Sequence, residues 1–185
     1  MKHKRILNSV VITVFAYGVY STVSLESLFA LLVAVAVHEA GHIAAIYFCG
    51  LKPTKIKLEF SGLCIGYNGL GSAYSDVCVA LSGPFLGMLF AWGSCRCSVE
   101  MVLLSSKLSC LYSLVNMLPV KPLDGWRIFT GLSDIWLGVG KENALPGKIS
   151  KLLCFLSFIL GLCLMIEGEG GGVLAFSLWL MLLQT

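Results

Sequence analysis

The sequence predicts an α-class fold: a polytopic membrane bundle of about six transmembrane helices, with a short β-hairpin or small sheet at the cytoplasmic membrane surface. Three observations predict it. Hydrophobic residues make up 57% of the chain and charged residues 12%, with a mean hydropathy of +0.88. A soluble domain holds about 45–50% apolar and about 25% charged residues, so both values depart toward a bilayer solvent. Apolar runs recur that approach the roughly 20 residues a helix needs to cross the hydrocarbon core. Basic residues gather in alternate connections, as they do in loops that stay in the cytoplasm. At 185 residues the bundle leaves no space for a large soluble module, and a single domain over 1–185 is expected.

The first apolar run covers 6–23 and the second 25–49, separated by a short polar step at Ser24 to Ser27. The two form a helical hairpin. The first run lacks a small-residue cleavage site, so it reads as a retained span rather than a removed signal peptide. Between 55 and 74, Lys-Ile-Lys-Leu-Glu-Phe alternates polar and apolar residues, and Ser61-Gly62 and Asn68-Gly69 are turn dipeptides. That pattern predicts short strands at the membrane surface. A third span is expected at 76–93 and a fourth at 99–118. The amphipathic stretch 126–148, broken by glycines and Pro146, is expected to lie along the same surface as the strands. A fifth span follows at 149–166 and a short sixth at 173–183.

Charge placement orients the chain. Lys2, Lys4 and Arg5 precede the first run; Lys52, Lys55 and Lys57 follow the second; Lys121, Arg127, Lys141, Lys148 and Lys151 follow the fourth. Arg96 alone lies on the opposite side. The N-terminus is therefore expected in the cytoplasm of a multi-pass cell-membrane protein. Nucleic-acid binding would need these charges on one soluble face, and the pattern excludes it. The eight cysteines show no CxxC pairing, and most lie in apolar runs, where a thiol serves as a small hydrophobe.

Within the second run stands His38-Glu39-Ala40-Gly41-His42, the HExxH pattern. Residues four apart share a helix face, so two imidazoles can point at one ion. Glu39, offset by one position, can reach a water without ligating the metal. An ionisable residue inside a span costs roughly 2.5–3.5 kcal/mol. Three polar packing residues would be the bland reading, but metal binding accounts for all three together. A catalytic zinc site usually has three protein ligands and one open position, so a Glu, Asp or His must come from another element. The best candidate is Asp124 in Asn116-Met117-Leu118-Pro119-Val120-Lys121-Pro122-Leu123-Asp124-Gly125. Pro119 and Pro122 cannot continue the fourth helix, and unwound backbone at membrane depth is tolerated where it lines a cavity. Asp124 is expected on that rigid break, with Gly125 letting the chain turn close behind it.

HExxH in an early span followed by N-x-x-P-x-x-P-L-D-G resembles the site-2 protease family of intramembrane zinc metalloproteases. The likeness is to its small bacterial branch, typified by the sporulation pro-sigma-factor processing protease. The resemblance covers nearly the whole chain in segment order. It implies one Zn2+ ion on His38, His42 and Asp124, with Glu39 as general base toward a zinc-activated water. Peptide bonds within or near transmembrane segments of membrane-anchored proteins would be its targets. These substrates would be single-span regulators or signal-peptide remnants. No PDZ or CBS domain is present, so accessory control would come from a separate membrane partner or be absent. The chain departs from the family at Gly87, where an Asn often stands three residues after Gly-Pro, and at Trp126, where a second Gly is usual.

Asn116 can donate a hydrogen bond to the developing oxyanion or to substrate backbone; a helix-capping or packing amide is an equal reading. A helical substrate must be unwound before its carbonyls are accessible, and the strands around 56–66 can pair with the unwound segment by edge addition. Lys107, inside the fourth span, is expected to snorkel outward. A divalent-cation transporter would need polar residues along several helices, and spans one, five and six are almost featureless. A catalytically silent zinc-binding scaffold is the remaining alternative.

Overall fold

The computed structural model describes residues 24–59, 62–68, 73–138 and 144–166, together with Ser177 and Leu180. The expected first span lies outside these residues, as does the sixth apart from those two positions. The described elements are α1 (Leu25–Phe48), β1 (Lys52–Glu59), β2 (Gly62–Asn68), α2 (Ala73–Ser94), α3 (Glu100–Asn116), α4 (Asp124–Leu137) and α5 (Ala144–Ile166).

Helix α1 starts where Ser24 caps it, its hydroxyl oxygen accepting the Ser27 N–H at 3.2 Å, with Glu26 in the first turn against the positive end of the dipole. It ends in a Schellman motif. The Leu51 N–H reaches the Ile46 carbonyl and the Gly50 N–H the Tyr47 carbonyl, each at 3.0 Å, with Gly50 at φ 66°. That left-handed residue turns the chain straight into β1, so the strand begins at Lys52, three residues before the alternating pattern. β1 and β2 pair antiparallel with Ile56 opposite Ile65 and Leu58 opposite Leu63, and the ladder is irregular between Pro53 and Lys55.

Three boundaries differ from expectation. Helix α2 starts at Ala73 rather than Asp76. Helix α5 starts at Ala144 rather than Ile149, because Pro146 falls in its first turn, where a missing N–H breaks no helical bond. Helix α4 starts at Asp124, so the proline break spans only 117–123 and Asp124 opens a helix instead of sitting on irregular backbone. Gly138, left-handed at φ 60°, ends α4.

Helices α1 and α2 are long and apolar enough to cross a membrane. The bundle buries polar side chains beside its apolar core and exposes large apolar ones. His38, His42, Ser105, Ser106, Ser109, Ser113 and Asn116 are buried, while Phe29, Leu32, Phe85, Leu89 and Trp92 are exposed. Interhelical hydroxyls against small residues are the packing that hydrocarbon solvent favours. Ser106 Oγ donates to the Ala91 carbonyl at 2.7 Å and Ser109 Oγ to the Gly87 carbonyl at 3.0 Å, fastening α3 to α2. Lys107 is exposed, on the side of α3 away from these serines.

The proline segment is held by an apolar cluster of Val120, Leu123, Cys154 and Leu180 and by the Lys121 N–H on Ser150 Oγ at 3.1 Å. Gly125 lies so close to the end of α3 that a Cβ there would overlap the Met117 and Leu118 carbonyls. The start of α4 is thereby pressed onto the foot of α3, which aims Asp124 back at α1.

Candidate metal centre

Helix α1 buries one face, made of Ala30, Ala34, His38, Gly41, His42 and Ile46. The spacing of four puts both histidines on it, and they are 1% and 7% exposed. Their rings meet edge to face with centroids 4.9 Å apart. Asp124, brought in by α4, places one carboxylate oxygen between them: Oδ2 lies 3.0 Å from His38 Nε2 and 3.1 Å from His42 Nε2. Two HExxH nitrogens and the carboxylate at the start of α4 thus converge. Their candidate ligand atoms all lie within 4.8 Å of one another.

The arrangement fits a metal ion on two counts. Ligand atoms about 2.0–2.2 Å from a tetrahedral zinc stand roughly 3.3–3.5 Å from each other, a little wider than the 3.0 and 3.1 Å from the histidines to Asp124. The second count is protonation. His42 Nδ1 lies 2.7 Å from the Val79 carbonyl, which can only accept, so Nδ1 carries the proton and Nε2 of the neutral ring presents a lone pair. Facing a carboxylate oxygen, that lone pair requires a proton or a cation between them. An imidazole held through its far nitrogen by a carbonyl is also the usual outer arrangement of a metal-bound histidine.

Helix α2 roofs the site. A Cβ on Gly83 would overlap His42 Nε2 and stand 2.8 Å from His38 Nε2, so only glycine leaves the two nitrogens open to Asp124. Val79, one turn earlier, supplies the carbonyl for His42, and Ser82 Oγ donates to the same oxygen at 2.6 Å. Glu39 is partly buried, on the turn between the two histidines. Asn116, the last residue of α3, is buried and turns its Nδ2 back on the Tyr112 carbonyl at 3.0 Å. An amide NH2 has two protons, and this bond uses one of them.

Two groups at the site carry no motif. The Val79 carbonyl is backbone, without any side-chain signature. Tyr112 packs edge to face on His38, ring centroids 4.9 Å apart; its register with Asn116, four residues on, was the only available hint.

The two departures have local explanations. A Cβ on Gly87 would overlap Ser113 Oγ, so no larger side chain fits there while Ser113 stands opposite. Trp126 has the Lys121 ammonium 4.8 Å from its ring centroid and lines a cleft with Asp76, Arg127 and Asp134.

No protein-family model matches the sequence, and no curated protein matches it. Among solved structures, the fold is similar to that of the site-2 protease from Methanocaldococcus jannaschii, with a TM-score of 0.71 at 20% identity. The match covers 92% of this chain and 82% of that one. At that identity the likeness establishes a shared fold.

Proposed function

We propose that this chain is an intramembrane zinc metalloprotease of the site-2 protease kind, cutting membrane-anchored proteins within or near their transmembrane segments. The observation that carries the reading is the meeting of His38, His42 and Asp124 in the interior of an apolar bundle, on a fold similar to a site-2 protease. His38 and His42 through Nε2, and Asp124 through its carboxylate, would hold one zinc ion. A bound zinc ion supplies Lewis acidity, polarising a carbonyl and lowering the pKa of water to about 7.

The chain's own residues perform the rest. Glu39 takes a proton from the attacking water and returns it to the departing amide nitrogen. Asn116 offers an amide proton to the carbonyl oxygen as charge develops there. The apolar surround removes bulk water, which strengthens these interactions. β1 begins four residues after α1 ends, so a substrate strand paired along it would be held beside the helix that carries the histidines.

The protein is read as a multi-pass cell-membrane protein, N-terminus in the cytoplasm, bacterial, and a single catalytic domain. Its substrate class is a single-span regulator or signal-peptide remnant, and a membrane partner would supply any regulation. The test is purified protein in liposomes with a single-span reporter, comparing wild type with Glu39→Gln. Metal-dependent cleavage abolished by the substitution, with zinc still bound, is the expected result. Zinc bound without cleavage in wild type would reduce the chain to a scaffold, and zinc flux without cleavage would make it a transporter.

A further inference from the structure

We infer that Tyr112 is a positioning residue for the metal centre: its ring sets the His38 imidazole, as the Val79 carbonyl sets that of His42. The inference rests on the metal-binding reading above and concerns how the two imidazoles are oriented. Their surroundings are unlike. His42 is anchored through Nδ1 by a 2.7 Å hydrogen bond from its own helix to α2. His38 is the more deeply buried of the two, and its Nδ1 has no hydrogen-bond partner among the described residues. Among the described residues, nothing polar on that side fixes the rotation of the ring about its last torsion, a broad and soft one for imidazole.

Packing therefore has to do it. Two rings touch His38 edge to face: His42, itself one of the converging ligands, and Tyr112, with centroids 4.9 Å apart and planes at 80°. Edge-to-face contact is directional because the ring edge is positive and the face negative. A turn of the imidazole away from its present plane loses that contact and swings Nε2 off Asp124. Tyr112 is a suitable clamp because it belongs to a different helix, α3, and is itself held at its foot. Asn116 Nδ2 donates to the Tyr112 backbone carbonyl at 3.0 Å. The ring, not the hydroxyl, makes the contact with His38.

Loss of an outer partner of a metal-bound histidine typically weakens metal binding about 10–100-fold. The experiment uses full-length protein in detergent, with zinc affinity from competition against a chromophoric chelator and the visible spectrum of the cobalt(II)-substituted protein. Tyr112→Phe should bind zinc within about threefold of wild type, well short of the loss of an outer partner, and leave the cobalt bands unmoved. Tyr112→Leu should bind at least about tenfold more weakly, with altered bands. Equal affinity and spectrum for Tyr112→Leu would overturn the inference, as would a Tyr112→Phe protein as weak as Tyr112→Leu, which would assign the role to the hydroxyl. If Tyr112→Leu does not fold, Tyr112→Phe decides alone, and a tenfold loss there is fatal. Asp124→Ala separates the two levels. Wild type binding no better than Asp124→Ala removes the metal centre and this inference with it. Tight wild-type binding unaffected at Tyr112 removes only the inference.

Discussion

His42 gives its Nδ1 proton to the Val79 carbonyl at 2.7 Å, and this bond decides what the other side of the ring can be. With that proton placed, Nε2 faces the Asp124 carboxylate at 3.1 Å with a lone pair. Two acceptors at that distance repel unless a proton on Nε2 or a bound cation lies between them. Three helices build this contact at once: candidate ligands on α1 and α4, the orienting carbonyl and the glycine roof on α2.

The first prediction follows from that charge balance. Asp124→Asn keeps size and shape but removes the anion, and one of its amide protons would point at an imidazole lone pair. Zinc affinity should fall by more than about 100-fold, beyond the usual loss for an outer partner. Metal content after dialysis, measured by mass spectrometry, checks it. Retained stoichiometric zinc would remove Asp124 from the ligand set.

Glycine at 83 is a steric requirement, and Gly93 on the same helix provides the contrast. Gly83→Ala would drive a methyl onto both Nε2 atoms, whereas a Cβ at Gly93 meets nothing within 4 Å. Overpacking of this kind costs about 1–3 kcal/mol. Gly83→Ala should lose zinc and melt at a lower temperature, while Gly93→Ala should match wild type in both. Equal behaviour of the two would mean that α2 yields easily over the site.

How legible was all this in the sequence? The shared face of His38 and His42 could be read because residues four apart lie together on a helix, inside a run where their burial is otherwise costly. Asp124 could be read because two prolines mark a break and because motif context singled it out. The restart of the helix at Asp124 could not: its N-cap, Leu123, makes no capping side-chain bond, so no residue announced it. Val79 was invisible since every residue has a carbonyl. Tyr112 offered only its four-residue register with Asn116, which an aromatic in an apolar helix shares with ordinary packing residues. The early start of α5 was missed by reading Pro146 as a breaker, although a first-turn proline begins helices as readily as it ends them.

The Gly87–Ser113 contact predicts a rescue. A Cβ at Gly87 overlaps Ser113 Oγ but stands 3.6 Å from Ser113 Cβ, an ordinary contact, and 3.3 Å from Ser109 Oγ. Gly87→Ala should therefore destabilise the protein alone by about 1–3 kcal/mol and recover much of that in a Ser113→Ala background. A double-mutant cycle in thermal melts measures the coupling, expected at about 1 kcal/mol or more. Additive effects would show that the helices simply move apart.

Metal removal should be visible as lost stability. A ligand bound only to the folded state stabilises it by about 2.7 kcal/mol when present at roughly 100 times its dissociation constant. Chelator should lower the melting temperature of wild type and of Glu39→Gln alike, since Glu39 is not a ligand in this reading. Asp124→Ala should show no chelator effect. A chelator shift that persists in Asp124→Ala would place the metal elsewhere.

The substrate-pairing role of β1 can be tested by parity along the strand. In an antiparallel ladder the backbone groups of successive residues point alternately to the partner and to the open side. Ile56 and Leu58 share one direction, and Lys57, paired opposite Cys64, takes the other. Proline removes the donor at whichever position it occupies. One parity therefore breaks the β1–β2 ladder and the other blunts the open edge. If a substrate strand adds to β1, proline at the open-side parity should reduce cleavage of the membrane reporter about tenfold, roughly 1.4 kcal/mol of lost pairing, with zinc content unchanged. Proline at the ladder-side parity should reduce cleavage too, by loosening the hairpin itself. Cleavage at the wild-type rate with proline at 56, 57 and 58 in turn would rule the strand out as a docking edge, and the unwound substrate would have to be held by the helices around Asp124 alone.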